Sequence, residues 1–252
     1  MKKIIELIDA SLTVNNGFDD VKTILDQVNL TIYEHDFITI LGGNGAGKST
    51  LFNVIAGTLF LSKGQIKILG HDVTRMGAER RAKYLARVFQ DPKMGTAPRM
   101  TVAENLLIAE KRGDKRRLIK RSLQTRSSHF LELLAKTGNG LENHLETPTG
   151  LLSGGQRQAL SLLMATLKRP DLLLLDEHTA ALDPKTSRAL MDLTNTFVRD
   201  DRLTALMITH HMEDALTYGN RLIVMKDGKI IKDLAQKAKA ELSIADYYQL
   251  FE

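Results

Sequence analysis

Apolar residues fall along this chain in two rhythms, short unbroken runs and a helical spacing, and each predicts its own kind of element. Residues 3–32 read as short strands carried by Ile4, Leu7 and Ile8, then Leu12 and Val14, then Val28, Leu30 and Ile32. The polar stretch Asn15-Asn16-Gly17-Phe18-Asp19-Asp20 breaks them. Residues 37–41 read as a buried strand, and 50–56 as a helix with Leu51, Val54 and Ile55 on one face. A strand over 65–70, a helical stretch near 77–84 and a strand over 86–89 follow. From about 98 to 134 the pattern turns helical, and Gly138, Gly140, Pro148 and Gly150 punctuate what comes next. Leu160, Leu163, Met164 and Leu167 fit the i, i+3, i+4, i+7 spacing of one buried helix face. Apolar strands are expected at 172–175 and 205–208. Residues 222–225 and 230–231 form a hairpin turned by Asp227-Gly228. The tail, 242–252, reads as a short helix capped by Ser243 with Asp246 three residues on, and with Ala245, Tyr248 and Phe251 on one face. Docking of that face on the chain's own core and contact with a partner subunit are both open.

Between the strand at 37–41 and the helix at 50–56 stands Gly42-Gly43-Asn44-Gly45-Ala46-Gly47-Lys48-Ser49, followed by Thr50. It matches the phosphate-binding pattern G-x-x-x-x-G-K-[ST] at every fixed position, in the strand–loop–helix context that pattern requires. Glycines let the backbone curl so that successive N–H groups point inward, and a helix N-terminus adds partial positive charge at the same place. Lys48 supplies a point charge for the β- and γ-phosphates of a nucleotide, and the Ser49 hydroxyl is a ligand for Mg²⁺.

Two further stretches carry matching chemistry. Leu172-Leu173-Leu174-Leu175 ends in Asp176-Glu177, two carboxylates at the end of a buried strand, where ligands collect in parallel sheets. Asp176 is placed to hold Mg²⁺ and Glu177 to orient or deprotonate an attacking water. Leu152-Ser153-Gly154-Gly155-Gln156 directly precedes the helix of 160–167, so its hydroxyl and bare N–H groups sit at a helix N-terminus, a second anion site. One nucleotide rarely needs two full phosphate cradles from one chain. The economical reading is that Ser153, Gly154, Gly155 and Gln156 serve a nucleotide held by a second subunit.

With these motifs in hand, the sequence resembles the ATP-binding-cassette (ABC) family over nearly its whole length. The resemblance implies an α/β fold: a P-loop NTPase core with an antiparallel β subdomain and an inserted α-helical subdomain. One cassette, 1–252, would divide into a core of 1–90 and 159–241, a helical section of 91–158, and the tail helix. By the same resemblance Gln90 contacts Mg²⁺ or the attacking water, Ala181-Leu182-Asp183 touches the opposite subunit, and His210 contacts the γ-phosphate. Glu177, His210 and Gln90 are thus the expected catalytic residues, and Ser49, Gln90 and Asp176 the expected metal ligands. His178 stands where the family usually has proline and is not expected to be catalytic. No aromatic stands at the adenine-stacking position; Val14 or Asn15 falls there, with Phe18 a substitute.

The function expected is an ATPase that dimerises around two ATP molecules and drives a membrane transporter. Its partners would be a second ATP-binding subunit, most simply a second copy, separate permease subunits and an external solute-binding protein. Residues 95–106 are similar to those of bacterial uptake systems, particularly for amino acids. Alternatives are an exporter ATPase or a soluble ABC ATPase acting on nucleic acid or the ribosome. The second usually needs two cassettes or a coiled-coil insertion, and this chain has neither, so no nucleic-acid partner is expected.

Composition sharpens this only at the edges. No apolar run approaches the length that crosses a bilayer, and the N-terminus has no secretion-signal pattern, which suits peripheral attachment at the cytoplasmic face of the membrane. Absence of cysteine excludes disulfides and thiolate metal sites. Net charge is +5, but Lys111, Arg112, Lys115, Arg116, Arg117, Lys120 and Arg121 crowd into one window with Asp114 as its only acid. A solvated surface, lipid headgroups, an acidic partner and nucleic acid all fit a cationic window, the last poorly because stacking aromatics are scarce there.

Overall fold

The computed structural model describes residues 1–15, 21–115 and 123–241. Its strands are β1 (Lys3–Asn15), β2 (Val21–Tyr33), β3 (Phe37–Gly42), β4 (Lys63–Ile68), β5 (His71–Asp72), β6 (Leu85–Val88), β7 (Leu172–Asp176), β8 (Ala205–Ile208), β9 (Arg221–Lys226) and β10 (Lys229–Ala235). They build two sheets. The first, in the order β2-β1-β4-β5, is antiparallel. In the second, β10-β9-β3-β8-β7-β6, the strands from β9 to β6 run parallel and β10 returns antiparallel beside β9. Asp227 and Gly228 turn that hairpin with φ of 48° and 77°, the left-handed pair a two-residue turn demands.

Lys3–Asn15 and Val21–Tyr33 are two long strands, not several short ones, and most of the polar break expected between them, 16–20, lies outside the described residues. Bulges interrupt their alternation near Asp9 and Gln27, whose φ values are 46° and 47°. The Asp9 N–H donates to Asn29 Oδ1 at 3.0 Å and Asn29 Nδ2 returns a bond to Asp9 Oδ1 at 2.9 Å, pinning the irregular register.

Helices are α1 (Lys48–Ala56), α2 (Ala78–Arg81), α3 (Val102–Glu110), α4 (Ser127–Ala135), α5 (Gly154–Leu167), α6 (Pro184–Asp200), α7 (Met212–Thr217) and α8 (Gln236–Ala240). The helical stretch expected over 98–134 is thus not continuous. It starts at a capping box, where Thr101 Oγ1 accepts from the Glu104 N–H and the Glu104 carboxylate from the Thr101 N–H. The longest helix, α6, was not expected from the apolar spacing. Its signal lies in the cap: Asp183 accepts from the Thr186 N–H at 3.1 Å and Pro184 fills the first helical position.

The leucine run of β7 shows how the core is divided. Leu172 and Leu174 pack with Leu51 and Phe52 of α1 and with the antiparallel sheet. Leu173 and Leu175 face the other way, onto Leu106 of α3, Phe130 of α4 and Leu160 of α5. A strand covered on both faces has no polar side, which is why it reads as an unbroken run. In the parallel sheet Ile40 and Asp176 both pair with Ile208, so β3, β8 and β7 end at one level. Among the described residues no helix is long and apolar enough to cross a membrane.

Candidate functional site

The phosphate loop leaves β3 at that level and turns directly into α1. A Cβ on Gly42 would lie 2.5 Å from the Met225 carbonyl oxygen, and one on Gly47 2.9 Å from that of Ile24, so neighbouring strands leave no room for side chains there. Gly47 also takes φ 96°, and it ends the loop with no side-chain cap, leaving the first N–H groups of α1 open to a ligand. Gly43, Asn44, Gly45, Ser49 and the half-buried Thr50 line the outer side of the loop, while Ala46 is buried beneath it. Lys48 is buried, and its Nζ donates to the carbonyl oxygens of Gly42 at 2.8 Å and Gly43 at 3.0 Å. Burial pushes its pKa down, and the nearby charges of Glu177 and Asp176 oppose that shift.

The two carboxylates stand at the end of β7. Asp176 Oδ2 lies 2.5 Å from Arg87 Nη2. Glu177 takes the left-handed conformation (φ 46°) that non-glycine residues rarely adopt, and its N–H donates to the Ile208 carbonyl at 3.1 Å. That twist swings its side chain toward β8, where Glu177 Oε2 meets His210 Nε2 at 2.5 Å. Lys48, Asp176, Glu177 and His210 therefore share one small region. Gln90 follows β6 and is exposed. The carbonyl of its neighbour Phe89 accepts from Gln158 Nε2 at 2.8 Å, which ties the strand end to α5.

Residues 153–156 lie elsewhere. Ser153 caps α5, accepting from the Gln156 N–H at 3.2 Å, while Gln156 Oε1 accepts from the Ser153 N–H at 3.2 Å. Gly154 and Gly155 pack against Leu182 and Thr186 at the start of α6, and Gln156 Nε2 reaches the Asn139 carbonyl. Arg157 fixes the approach from below, donating to the carbonyls of Thr149 and Gly150 at 2.8 Å each. The contacts of this serine–glycine tip thus run to the start of α6 and to the helical section.

The donor set decides which metal suits the region. Ser49, Asp176 and Gln90 offer oxygen only, and among the described residues no cluster of three His, Cys, Asp or Glu side chains exists. One carboxylate, a hydroxyl and an amide suit Mg²⁺ shared with phosphate oxygens and water, not a nitrogen- or sulfur-bound transition metal.

Several contributors escaped the sequence reading. Arg87, Asn53 and Gln158 belong to no motif; they reach the site only through the pairing of β6, β7, α1 and α5. His178 is buried and lies 2.9 Å from Thr194 Oγ1, a structural contact. Val14 and Asn15 end β1 and are exposed, and Phe18 lies outside the described residues. In the basic window Arg112 is no surface charge, since its guanidinium donates to the Ala165 and Lys168 carbonyls at the end of α5. Arg116, Arg117, Lys120 and Arg121, like the tail 242–252, lie outside the described residues.

Comparison with known proteins places this geometry among relatives. A family model described as ABC transporter matches residues 25–180. The tyrosine transport ATP-binding protein of Clostridioides difficile (strain R20291) is 40% identical over 249 residues, 99% of each chain. The spermidine/putrescine import ATP-binding protein PotA of Haemophilus ducreyi is 34% identical over 232 residues, covering 92% of this chain and 58% of that protein. Among solved structures, the dimeric structure of MJ0796, a bacterial ABC transporter cassette, superposes with a TM-score of 0.78 at 27% identity, over 92% of this chain and 99% of that one.

Proposed function

Because this chain belongs to the ABC transporter family, we propose that it is the motor of an importer, two copies closing around two ATP molecules to drive solute through separate permease subunits. Family membership makes it an ATP-binding ATPase. In the proposed assembly it sits at the cytoplasmic face of the membrane, with an external solute-binding protein delivering cargo and no nucleic acid involved. Residues 1–90 and 159–241 serve as the catalytic core, and 91–158 as the helical section that carries the serine–glycine tip and meets the permease.

ATP lies with its phosphates on Gly42–Thr50 residues of one copy, held by open N–H groups and by Lys48. Residues 153–156 of the other copy close over the γ-phosphate. Closure is favoured by ATP because only the triphosphate engages both cradles, and hydrolysis removes that differential contact. Ser49, Gln90 and Asp176 would hold Mg²⁺, which when bound neutralises charge on the β- and γ-phosphate oxygens. Glu177 orients and accepts a proton from the attacking water. His210, 2.5 Å from Glu177, steadies that carboxylate and the departing phosphate.

The observation that carries this reading is the convergence of Lys48, Asp176, Glu177 and His210 at the ends of adjacent parallel strands. Glu177→Gln should still bind ATP while its turnover falls roughly a hundredfold or more. Near-normal turnover in that variant would remove Glu177 from its role.

The cargo we assign to the amino-acid class, with tyrosine first, because the relative named for tyrosine transport matches almost end to end. Reconstituted with its copurifying membrane subunits and binding protein, the chain should show ATPase stimulated by tyrosine. Stimulation by spermidine or putrescine instead would overturn the assignment, and copurification with RNA or DNA in place of membrane proteins would overturn the transporter reading.

A further inference from the structure

Arg87 is held at the site more firmly than a surface arginine needs to be. Its Nη2 lies 2.5 Å from Asp176 Oδ2 and its Nη1 donates to Asn53 Oδ1 of α1 at 2.8 Å. The guanidinium also lies over the Phe89 ring, 4.8 Å from its centroid. Its Nε is buried and lacks a hydrogen-bond partner. A buried donor left unmet is a cost that packing alone does not explain. One guanidinium thus joins the helix that begins with Lys48 and Ser49, the strand that ends in Asp176, and the strand end that leads to Gln90.

We propose that Arg87 is a fixed counter-charge to Asp176, a positioning residue that weakens the carboxylate's hold on a divalent cation and so makes metal binding depend on the triphosphate. The proposal rests on the reading of Asp176 as the metal-binding carboxylate. Lys48 already lies near Asp176 and Glu177, and Arg87 pairs with Asp176, so these two cations balance the two carboxylates without metal. A divalent cation sharing Asp176 meets a positive charge that Asn53 and Phe89 keep from swinging away. The anionic phosphates supply the negative charge that the protein alone withholds. Even in a well-screened setting, one fixed unit charge beside a shared ligand changes divalent affinity by roughly tenfold.

The test is Mn²⁺ binding, read by electron paramagnetic resonance, to the full chain saturated with a non-hydrolysable ATP analogue. Arg87→Gln and the apolar Arg87→Met should each bind Mn²⁺ roughly tenfold more tightly than the parent chain, while Arg87→Lys should stay near it. A merely structural arginine would give the opposite sign, since a loosened Asp176 holds metal less well. Two neutral variants keep the test alive if one of them folds poorly. Asp176→Asn separates the two claims. If it weakens Mn²⁺ binding while neither neutral Arg87 variant tightens it, the counter-charge is overturned and Asp176 keeps its role. If Asp176→Asn leaves Mn²⁺ affinity unchanged, the metal reading fails and the proposal with it.

Discussion

His178 is a neutral side chain by construction. It is buried, and burial pushes its pKa from 6.5 down to about 4. Thr194 gives its own hydroxyl proton to the Leu190 carbonyl at 2.8 Å, so the His178 Nε2–H donates to Thr194 at 2.9 Å. The unfolded imidazole takes a proton near pH 6.5, whereas the folded one resists until about 4. The folded state therefore holds its full advantage above the unfolded value and loses it as pH falls across that window, by up to about 3 kcal/mol. Urea unfolding at pH 7 and pH 4.5 should show a smaller pH dependence in His178→Gln than in the parent chain, and equal slopes would contradict this account. At this scale the sequence was legible wherever chemistry follows a fixed spacing, as in residues 42–49 or 176–177. It was silent on Arg87, Arg112 and Gln158, because an arginine inside a strand or loop carries no sign of the partner that tertiary packing brings to it.

Arg81 shows an element held by one distant side chain. It is fully buried, and its guanidinium donates to the Val54 and Ile55 carbonyls at 2.7 Å, to Met76 at 2.8 Å and to Val73 at 2.5 Å. Val54 and Ile55 are in the last turn of α1, where the helix dipole favours a cation and the Val54 carbonyl accepts besides only a long 3.3 Å bond from the Gly57 N–H. Burial lowers the Arg81 pKa to about 10, which still leaves it charged at neutral pH. Arg81→Met should cost about 3 kcal/mol in urea unfolding by stranding the Ile55 and Met76 acceptors and weakening those of Val54 and Val73, and a loss below about 1 kcal/mol would show that water replaces the guanidinium without penalty. The elements themselves were legible to different degrees. β7 and β8 stood out as unbroken apolar runs, and Asp227-Gly228 announced the β9–β10 hairpin. β1 and β2 were misjudged as fragments because bulges at Asp9 and Gln27 shift the alternation. α6 went unread because its buried positions Leu190, Met191, Thr194 and Val198 include a threonine, which hides the apolar stripe.

At the scale of the molecule, the α/β architecture with its separate antiparallel sheet was legible through the family resemblance that the motifs carry. A phosphate loop after the third strand and carboxylates after a leucine strand leave few topologies that bring both to one sheet edge. What sequence cannot display is which cradle faces which, since in the proposed assembly that depends on a second copy. In the structure, Gly154 and Gly155 pack toward Leu182 and Thr186, while Lys48, Glu177 and His210 gather at the sheet edge. In the proposed assembly each nucleotide is therefore completed across a dimer. Mixing two defective chains tests this most directly, one carrying Lys48→Ala and the other Ser153→Arg, with ATP hydrolysis as the readout. Each alone should be inactive, and the mixture should regain turnover, because a mixed dimer holds one site with an intact lysine loop and an intact opposing serine. A mixture as inactive as its separate parts would contradict a site shared between two copies.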